Sequence, residues 1–235
     1  MFLTVNNIKL YCEKLGQGPP LLLLHGNNES HEIFTPLAES LKDIFTLYMP
    51  DSRGHGKSEN APLDYYLMAQ DIYGLIQSLG LKKPHLMGFS DGGIIALLLA
   101  ANYPECISSL IAAGANLSVK AFKPHVLISM QLEYLFKRDP KLRLMLKQPE
   151  IPTQTLGSIA APSLIIAGEK DVFPLKHTLQ IAQAIADSHL LIVKGKNHGN
   201  YIYGSDMLSS VIAQFCLKHT LPAPAENISS PFIRL

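Results

Sequence analysis

The sequence predicts an α/β fold, with a mostly parallel central sheet and helices on both of its faces. Short β-rich runs alternate with longer segments of helical periodicity along most of the 235 residues, which is the pattern of strands joined by crossover helices. Residues 20–25 form a continuous apolar run, as expected for a parallel strand that is buried on both faces. A chain of this length, with 47% hydrophobic residues, can bury the core of one domain.

Turn and stop signals separate the predicted elements. Asn6 and Asn7 tolerate the left-handed conformation of a tight hairpin turn, Gly80 closes a helix, and Pro104 stops another because proline cannot continue one. Between such signals, short apolar runs predict strands and longer periodic segments predict helices. In chain order the predicted elements are strands 2–5, 8–13 and 20–25, helix 33–42, strand 45–50, helix 64–79, strand 84–89, helix 92–103, strands 107–113 and 162–167, helix 175–187, strand 189–193 and helix 206–218.

Residues 116–160 interrupt this alternation, because they have helical periodicity and no strand pattern. Seven Lys and Arg against three Asp and Glu give this segment a net charge of +4. A helical insertion between two strands of a sheet is typical of a lid over a binding site. We therefore expect a core made of residues 1–115 and 161–220, a small helical lid at 116–160 and a loose C-terminal extension at 221–235.

Composition argues against several classes of protein. Lys and Arg number 20 against 19 Asp and Glu, without the basic stripe that nucleic-acid binding needs. No apolar run approaches the roughly 20 residues of a membrane span, and the first residues do not resemble a signal peptide. We expect a cytoplasmic protein, monomeric or homodimeric, without a membrane or nucleic-acid partner, metal or organic cofactor. The three scattered cysteines fit a reducing compartment; they are Cys12, Cys106 and Cys216.

A Gly-x-Ser-x-Gly pattern at residues 88–92 centres on Ser90. It directly follows an apolar strand and opens an apolar helix, which is the setting of a nucleophile elbow. Glycines at 88 and 92 lack the Cβ atoms that would collide in so tight a turn, and the helix start aims backbone amides at a developing oxyanion. The alternative is a glycine-rich turn with an incidental serine. We expect Ser90 to be a nucleophile.

The partners of such a serine follow in the chain order Ser, Asp, His. Asp171 lies four residues beyond the end of the predicted strand 162–167, and His198 follows the next strand. Both fall at carboxyl ends of parallel strands, where ligands bind in such sheets. Glu169 is the alternative acid, with Asp187 a more distant one. We expect His198 to be the general base and Asp171 to orient it.

These segments together resemble the α/β-hydrolase family, to about residue 219. The resemblance is carried by Leu24-His25-Gly26, by the Asp-x-Arg-Gly-x-Gly-x-Ser segment at 51–58, by the elbow, and by the segments around Asp171 and His198. It implies that the amides of Asn27 and Asp91 form the oxyanion hole, and that Arg53 anchors a structural loop.

Within that family, Ser-Asp-Gly-Gly at 90–93 followed by Gly-Ala-Asn at 114–116 is similar to the biphenyl-hydrolase-like (valacyclovir hydrolase) branch. That resemblance implies that Asp91 binds the α-amino group of an amino-acid ester, and we expect Asn28 and Asn116 to contact substrate as well. Alternatively, Asp91 is an acid in the first helical turn that interacts favourably with the helix dipole.

The expected activity is hydrolysis of a small carboxylic ester through an acyl-enzyme, with a lactone or activated amide as the next candidate. Two other uses of the same triad stay open: a lyase or perhydrolase, and a ligand receptor that hydrolyses slowly. A serine at the elbow disfavours relatives whose nucleophile is an aspartate, such as dehalogenases and epoxide hydrolases.

Overall fold

The computed structural model describes residues 1–220 and 233–234, which form a nine-stranded sheet with helices on both faces. The strands are β1 Phe2–Val5, β2 Ile8–Leu15, β3 Pro20–Leu24, β4 Thr46–Pro50, β5 His85–Phe89, β6 Ser109–Ala113, β7 Ser163–Lys170, β8 Ser188–Asn197 and β9 Ile233–Arg234. The α-helices are α1 Thr35–Leu41, α2 Tyr65–Ser78, α3 Asp91–Asn102, α4 Pro124–Lys137, α5 Pro140–Lys147, α6 Leu175–Gln183 and α7 Ser209–Lys218.

The strand order is β1-β2-β4-β3-β5-β6-β7-β8-β9. All pairings from β4 through β8 are parallel, whereas the hairpin β1-β2, the β2-β4 pair and the β8-β9 pair are antiparallel. The chain runs from β3 out to β4 on one side and then returns to β5 on the other. This reversal makes the carboxyl ends of β3 and β5 a topological switch point, the place where open α/β sheets bind ligands.

Strand β3 explains how the sheet is buried on both faces. Leu22 and Leu24 point into the apolar cluster beneath α2, α3 and α6, whereas Leu21 and Leu23 point into the cluster beneath α1 and α7. Side chains alternate between the two faces of a strand, so a strand covered on both sides has to be apolar throughout. The predicted fold class is confirmed.

The differences from the predicted elements that affect the site lie in β7 and β8, which extend to Lys170 and Asn197 rather than ending at residues 167 and 193. Their last pair, Lys170 with Asn197, is solvent-exposed, so polar residues continue the hydrogen-bonded ladder where the apolar signal has already stopped. Asp171 consequently follows its strand directly, not four residues later. Helix α6 is shorter than predicted because the chain turns after Gln183, and α7 begins at Ser209 rather than 206.

Helices α4 and α5 lie between β6 and β7, within the segment predicted as a lid. The inner side of α4 packs with α5, Phe122 and Phe173 in a small separate apolar cluster. The opposite side of α4 exposes large apolar residues to solvent: Ile128, Leu132, Leu135 and Phe136. None of the helices within the described residues is both long and apolar enough to span a bilayer.

The Asp-x-Arg-Gly loop is held by an ion pair to α2. The guanidinium of buried Arg53 donates to both carboxylate oxygens of Asp71, at 2.6 and 2.7 Å. A bidentate pair of this kind fixes orientation as well as position, so Arg53 is a structural anchor. Most of the predicted extension at 221–235 lies outside the described residues; Ile233 and Arg234 pair with β8.

Candidate active site

Ser90 occupies a strained turn between β5 and α3. Its backbone has φ 54° and ψ −117°, a conformation that non-glycine residues rarely adopt. A Cβ atom on Gly88 would lie 2.0 Å from the Gly92 carbonyl oxygen, and one on Gly92 would lie 2.1 Å from the Leu24 carbonyl oxygen. Only glycine fits at either position, and the turn exposes Ser90 at the carboxyl end of the sheet.

Three residues from distant parts of the chain meet at this turn. His198 Nε2 lies 3.0 Å from Ser90 Oγ, and His198 Nδ1 lies 2.7 Å from Asp171 Oδ1. Both distances are within hydrogen-bond range. The imidazole also packs against Phe89 and Phe173, with ring centroids at 5.1 and 5.7 Å.

Asp171 is held as a charged acceptor. Burial by itself would raise the pKa of this carboxyl group, but the hydrogen bond to His198, the charge of that histidine and the amides of Gly168 and Val172 together lower it. The rival acid Glu169 is exposed and instead accepts from the Gly195 amide at 2.8 Å. Asp187 precedes β8, at the opposite end of the sheet from Ser90.

The loop after β3 and the start of α3 each carry a backbone amide without an acceptor in the described part of the chain. Gly26 N–H is already bonded, to Glu29 Oε2 at 2.7 Å. Asn27 N–H has no acceptor within residues 1–220, and neither has that of Asp91, the first residue of α3. His25 fixes this loop: its Nδ1 lies 2.7 Å from the Gly26 carbonyl oxygen and its Nε2 accepts from Ser52 N–H. Burial lowers the pKa of His25 to about 4, so it serves as a neutral anchor.

A mostly apolar cavity of about 230 Å³ opens at Ser90 and His198. Its apolar walls come from the inserted helices and the loops beside them: Phe122, Val126, Met130, Met145, Val172 and Phe173. Four polar residues complete the lining: Tyr65, Asp91, Asn116 and Gln148. The cavity can therefore hold a small, largely apolar molecule beside the serine.

Sequence profiles of two families match this chain. The family described as alpha/beta hydrolase fold matches residues 19–155, more than half of the chain, and one described as TAP-like protein matches residues 145–228. This chain is an α/β hydrolase.

Similar proteins agree with that assignment. The hydrolase is 30% identical to serine hydrolase BPHL of Mus musculus, over 90% of this chain and 84% of the mouse protein. It is 27% identical to AB hydrolase superfamily protein YisY of Bacillus subtilis, over 90% and 97%. A thermophilic esterase from Thermogutta terrifontis has the same fold, with a TM-score of 0.77 at 22% identity over 94% of this chain and 99% of the esterase.

Asp91 of the hydrolase is buried at the cavity without a cationic partner among the described residues. Its Oδ2 accepts from Asn27 Nδ2 at 2.8 Å, and the buried hydroxyl of Tyr65 lies beside the carboxylate and lowers its pKa. Burial is the main reason that the pKa of Asp91 is raised to about 6. A buried carboxylate without a cationic partner favours a ligand that is positively charged or that donates a hydrogen bond.

Of the two asparagines expected at the substrate, only one lines the cavity. Asn116 is buried and lines the cavity, whereas Asn28 lies outside it, exposed, with its Oδ1 3.1 Å from Lys141 Nζ. The hydrogen bond to Lys141 holds the Asn28 side chain at the surface, on a backbone with a left-handed φ of 57°.

Four polar residues at the site were not predicted as site residues from the sequence. Tyr65 and Gln148 line the cavity, and Gln148 joins the inserted segment to the start of α2 by accepting from Tyr65 N–H at 3.1 Å. Glu29 and Tyr203 contact each other beside Ser90 and His198. The available signal for Glu29 was an acid three residues after Gly26 of the His-Gly pair; the other three carry no distinctive pattern.

Proposed function

We propose that this α/β hydrolase is a serine esterase that cleaves a small carboxylic ester through an acyl-enzyme. The observation that carries the proposal is the hydrogen-bonded chain from Ser90 through His198 to Asp171, at a strained elbow beside two free amides. The chemistry needs an activated hydroxyl, a base that another group orients, and donors for an oxyanion. The esterase and serine hydrolase among the similar proteins support the same class.

In the proposed reaction, Ser90 Oγ attacks the ester carbonyl carbon while His198 Nε2 takes the hydroxyl proton. Asp171 keeps Nδ1 protonated and stabilises the imidazolium. The amides of Asn27 and Asp91 donate to the tetrahedral oxyanion. The C–O bond to the alcohol then breaks, and the alcohol leaves with the proton from His198. Water, deprotonated by His198, attacks the acyl-enzyme and releases the carboxylic acid, which restores Ser90.

The cavity favours a compact substrate with an apolar group and a cationic amino group near the carbonyl. The apolar walls of the cavity favour the apolar group. The buried Asp91 carboxylate favours the cationic amino group, because no cation of the described residues neutralises it. The resemblance to the biphenyl-hydrolase-like branch supports an amino-acid ester in particular.

We further propose that residues 116–160 act as a lid. Phe122, Val126, Met130 and Met145 from this segment form one side of the cavity, so access to Ser90 depends on where α4 and α5 lie. Covering the site excludes water from the oxyanion and strengthens its hydrogen bonds.

Turnover of short-chain p-nitrophenyl esters tests the proposed function. We expect wild type to release many equivalents of nitrophenol per mole of enzyme, and Ser90→Ala to release none above the solvent rate. A single stoichiometric burst without turnover would instead indicate a slowly hydrolysing receptor. Equal activity of Ser90→Ala and wild type would show that a different group performs the reaction.

A further inference from the structure

Glu29 bonds two loops that meet at Ser90. Its Oε2 accepts from Gly26 N–H at 2.7 Å, on the loop after β3. Its Oε1 accepts from the hydroxyl of Tyr203, on the loop after β8 that also carries His198. Glu29 and Tyr203 are 174 residues apart in the sequence. This carboxylate therefore links two distant loops at the carboxyl end of the sheet.

The connection lies directly against the reacting groups. A Cβ atom on Gly26 would lie 2.7 Å from Glu29 Oε2 and 3.1 Å from Ser90 Cβ, so Gly26 backbone fills the space between the acid and the serine. On the other side, the Tyr203 ring packs edge-on against Phe89, with centroids at 5.5 Å and planes at 89°. A shift of Glu29 would therefore reach both sides of the elbow.

The contacts of Glu29 leave it no role as a base. Both of its oxygens already accept a hydrogen bond, and it is not among the residues that line the cavity. Burial raises its pKa, while Tyr203, the Gly26 amide and the charge of His198 act in the opposite direction; the Asp91 carboxylate is a further charged neighbour. What Glu29 does accomplish is to occupy Gly26 N–H, the amide next to that of Asn27, which has no acceptor within residues 1–220.

We propose that Glu29 is a positioning residue, which sets the oxyanion-hole amide of Asn27 and the loop of His198 in one fixed relation to Ser90. This inference rests on the proposed function. Glu29 stabilises the transition state only through the groups it holds, so its loss changes kcat and leaves KM nearly unchanged. A misplacement of about 1 Å in such a site lowers the rate by about 10²-fold.

The test compares Glu29→Ala with Glu29→Gln, using p-nitrophenyl ester turnover. We expect Glu29→Ala to lower kcat by about 10²-fold with KM within about twofold of wild type. Glu29→Gln should recover most of this loss, because its amide oxygen can accept from Gly26 N–H while its NH₂ group donates to Tyr203 Oη. Tyr203→Phe should lose part of the rate, because it removes one of the two contacts. Glu32→Ala, at an exposed acid three residues away, is the matched control and should behave as wild type.

Thermal unfolding of each variant separates folding from positioning. The proposal is overturned if a folded Glu29→Ala keeps full kcat, if it changes KM alone, or if Glu29→Gln is as impaired as Glu29→Ala. Absence of turnover in wild type overturns the proposed function, and with it this role. Normal wild-type turnover with an unaffected Glu29→Ala overturns the positioning role alone.

Discussion

Replacement of Asp171 by Asn should lower kcat by about 10⁴-fold, which corresponds to about 5.5 kcal/mol of activation free energy. The amide preserves the size of the side chain, but it no longer favours the tautomer in which His198 Nδ1 carries the proton. His198 Nε2 would then present a proton to Ser90 Oγ instead of accepting one. Steady-state kinetics on the best ester substrate measure the loss.

Glu169→Gln is the matched control for this prediction. Glu169 lies two residues earlier on the same strand end, but its carboxylate bonds Gly195 N–H and does not contact His198. We expect the kcat of Glu169→Gln to stay close to that of wild type. A loss in Glu169→Gln comparable to that expected for Asp171→Asn, with Asp171→Asn active, would transfer the orienting role to Glu169.

An amino group beside the scissile carbonyl should raise kcat/KM by about 10- to 150-fold, provided that Asp91 is ionised. A charge-assisted hydrogen bond in a partly desolvated site contributes about 1.5–3 kcal/mol, and the fold-change follows from that free energy. The measurement compares an aminoacyl ester with its des-amino analogue, in wild type and in Asp91→Asn. The analogue controls for every step that does not involve the amine.

The ratio of the two kcat/KM values should depend on pH in a definite direction. The pKa of Asp91 is raised to about 6, mainly by burial, so the carboxylate is neutral at lower pH and cannot attract a cation. We expect the ratio to rise through about pH 6 and to fall again when the substrate amine loses its proton. Any step that both substrates share affects both kcat/KM values equally and cancels in the ratio. If the advantage survives Asp91→Asn, or is absent in wild type, Asp91 is only an acid at the start of α3.

The strand-end residues of the site follow from sequence because their positions depend on local patterns. An elbow needs small residues two positions before and two positions after Ser90, and Gly88 and Gly92 supply them. Parallel strands end at one edge of a sheet, so Asp171 and His198 had to reach the same edge. The precise strand ends did not follow, because exposed polar residues extend β7 and β8 by hydrogen bonding that hydrophobicity does not reveal.

Side-chain contacts across the switch point could not be predicted from the sequence. The bond between Asn27 and Asp91 joins the loop after β3 to the start of α3, which approach only after β3 and β5 pair. The bond between Glu29 and Tyr203 depends on loops from β3 and β8. Asn28, expected at the substrate, is exposed and bonds the Lys141 side chain of the inserted segment. Such details arise from tertiary packing, which residue patterns do not encode locally.

Covalent labelling of folded wild-type protein by a fluorophosphonate, followed by mapping of the adduct by mass spectrometry, tests the central claim most directly. The probe reacts with a serine that a neighbouring base activates, so we expect one adduct, on Ser90, and a much lower labelling rate in His198→Ala. Heat-unfolded protein is the control and should not be labelled. An adduct on a different serine, or no adduct in folded protein, would contradict the assignment of Ser90 as the activated nucleophile.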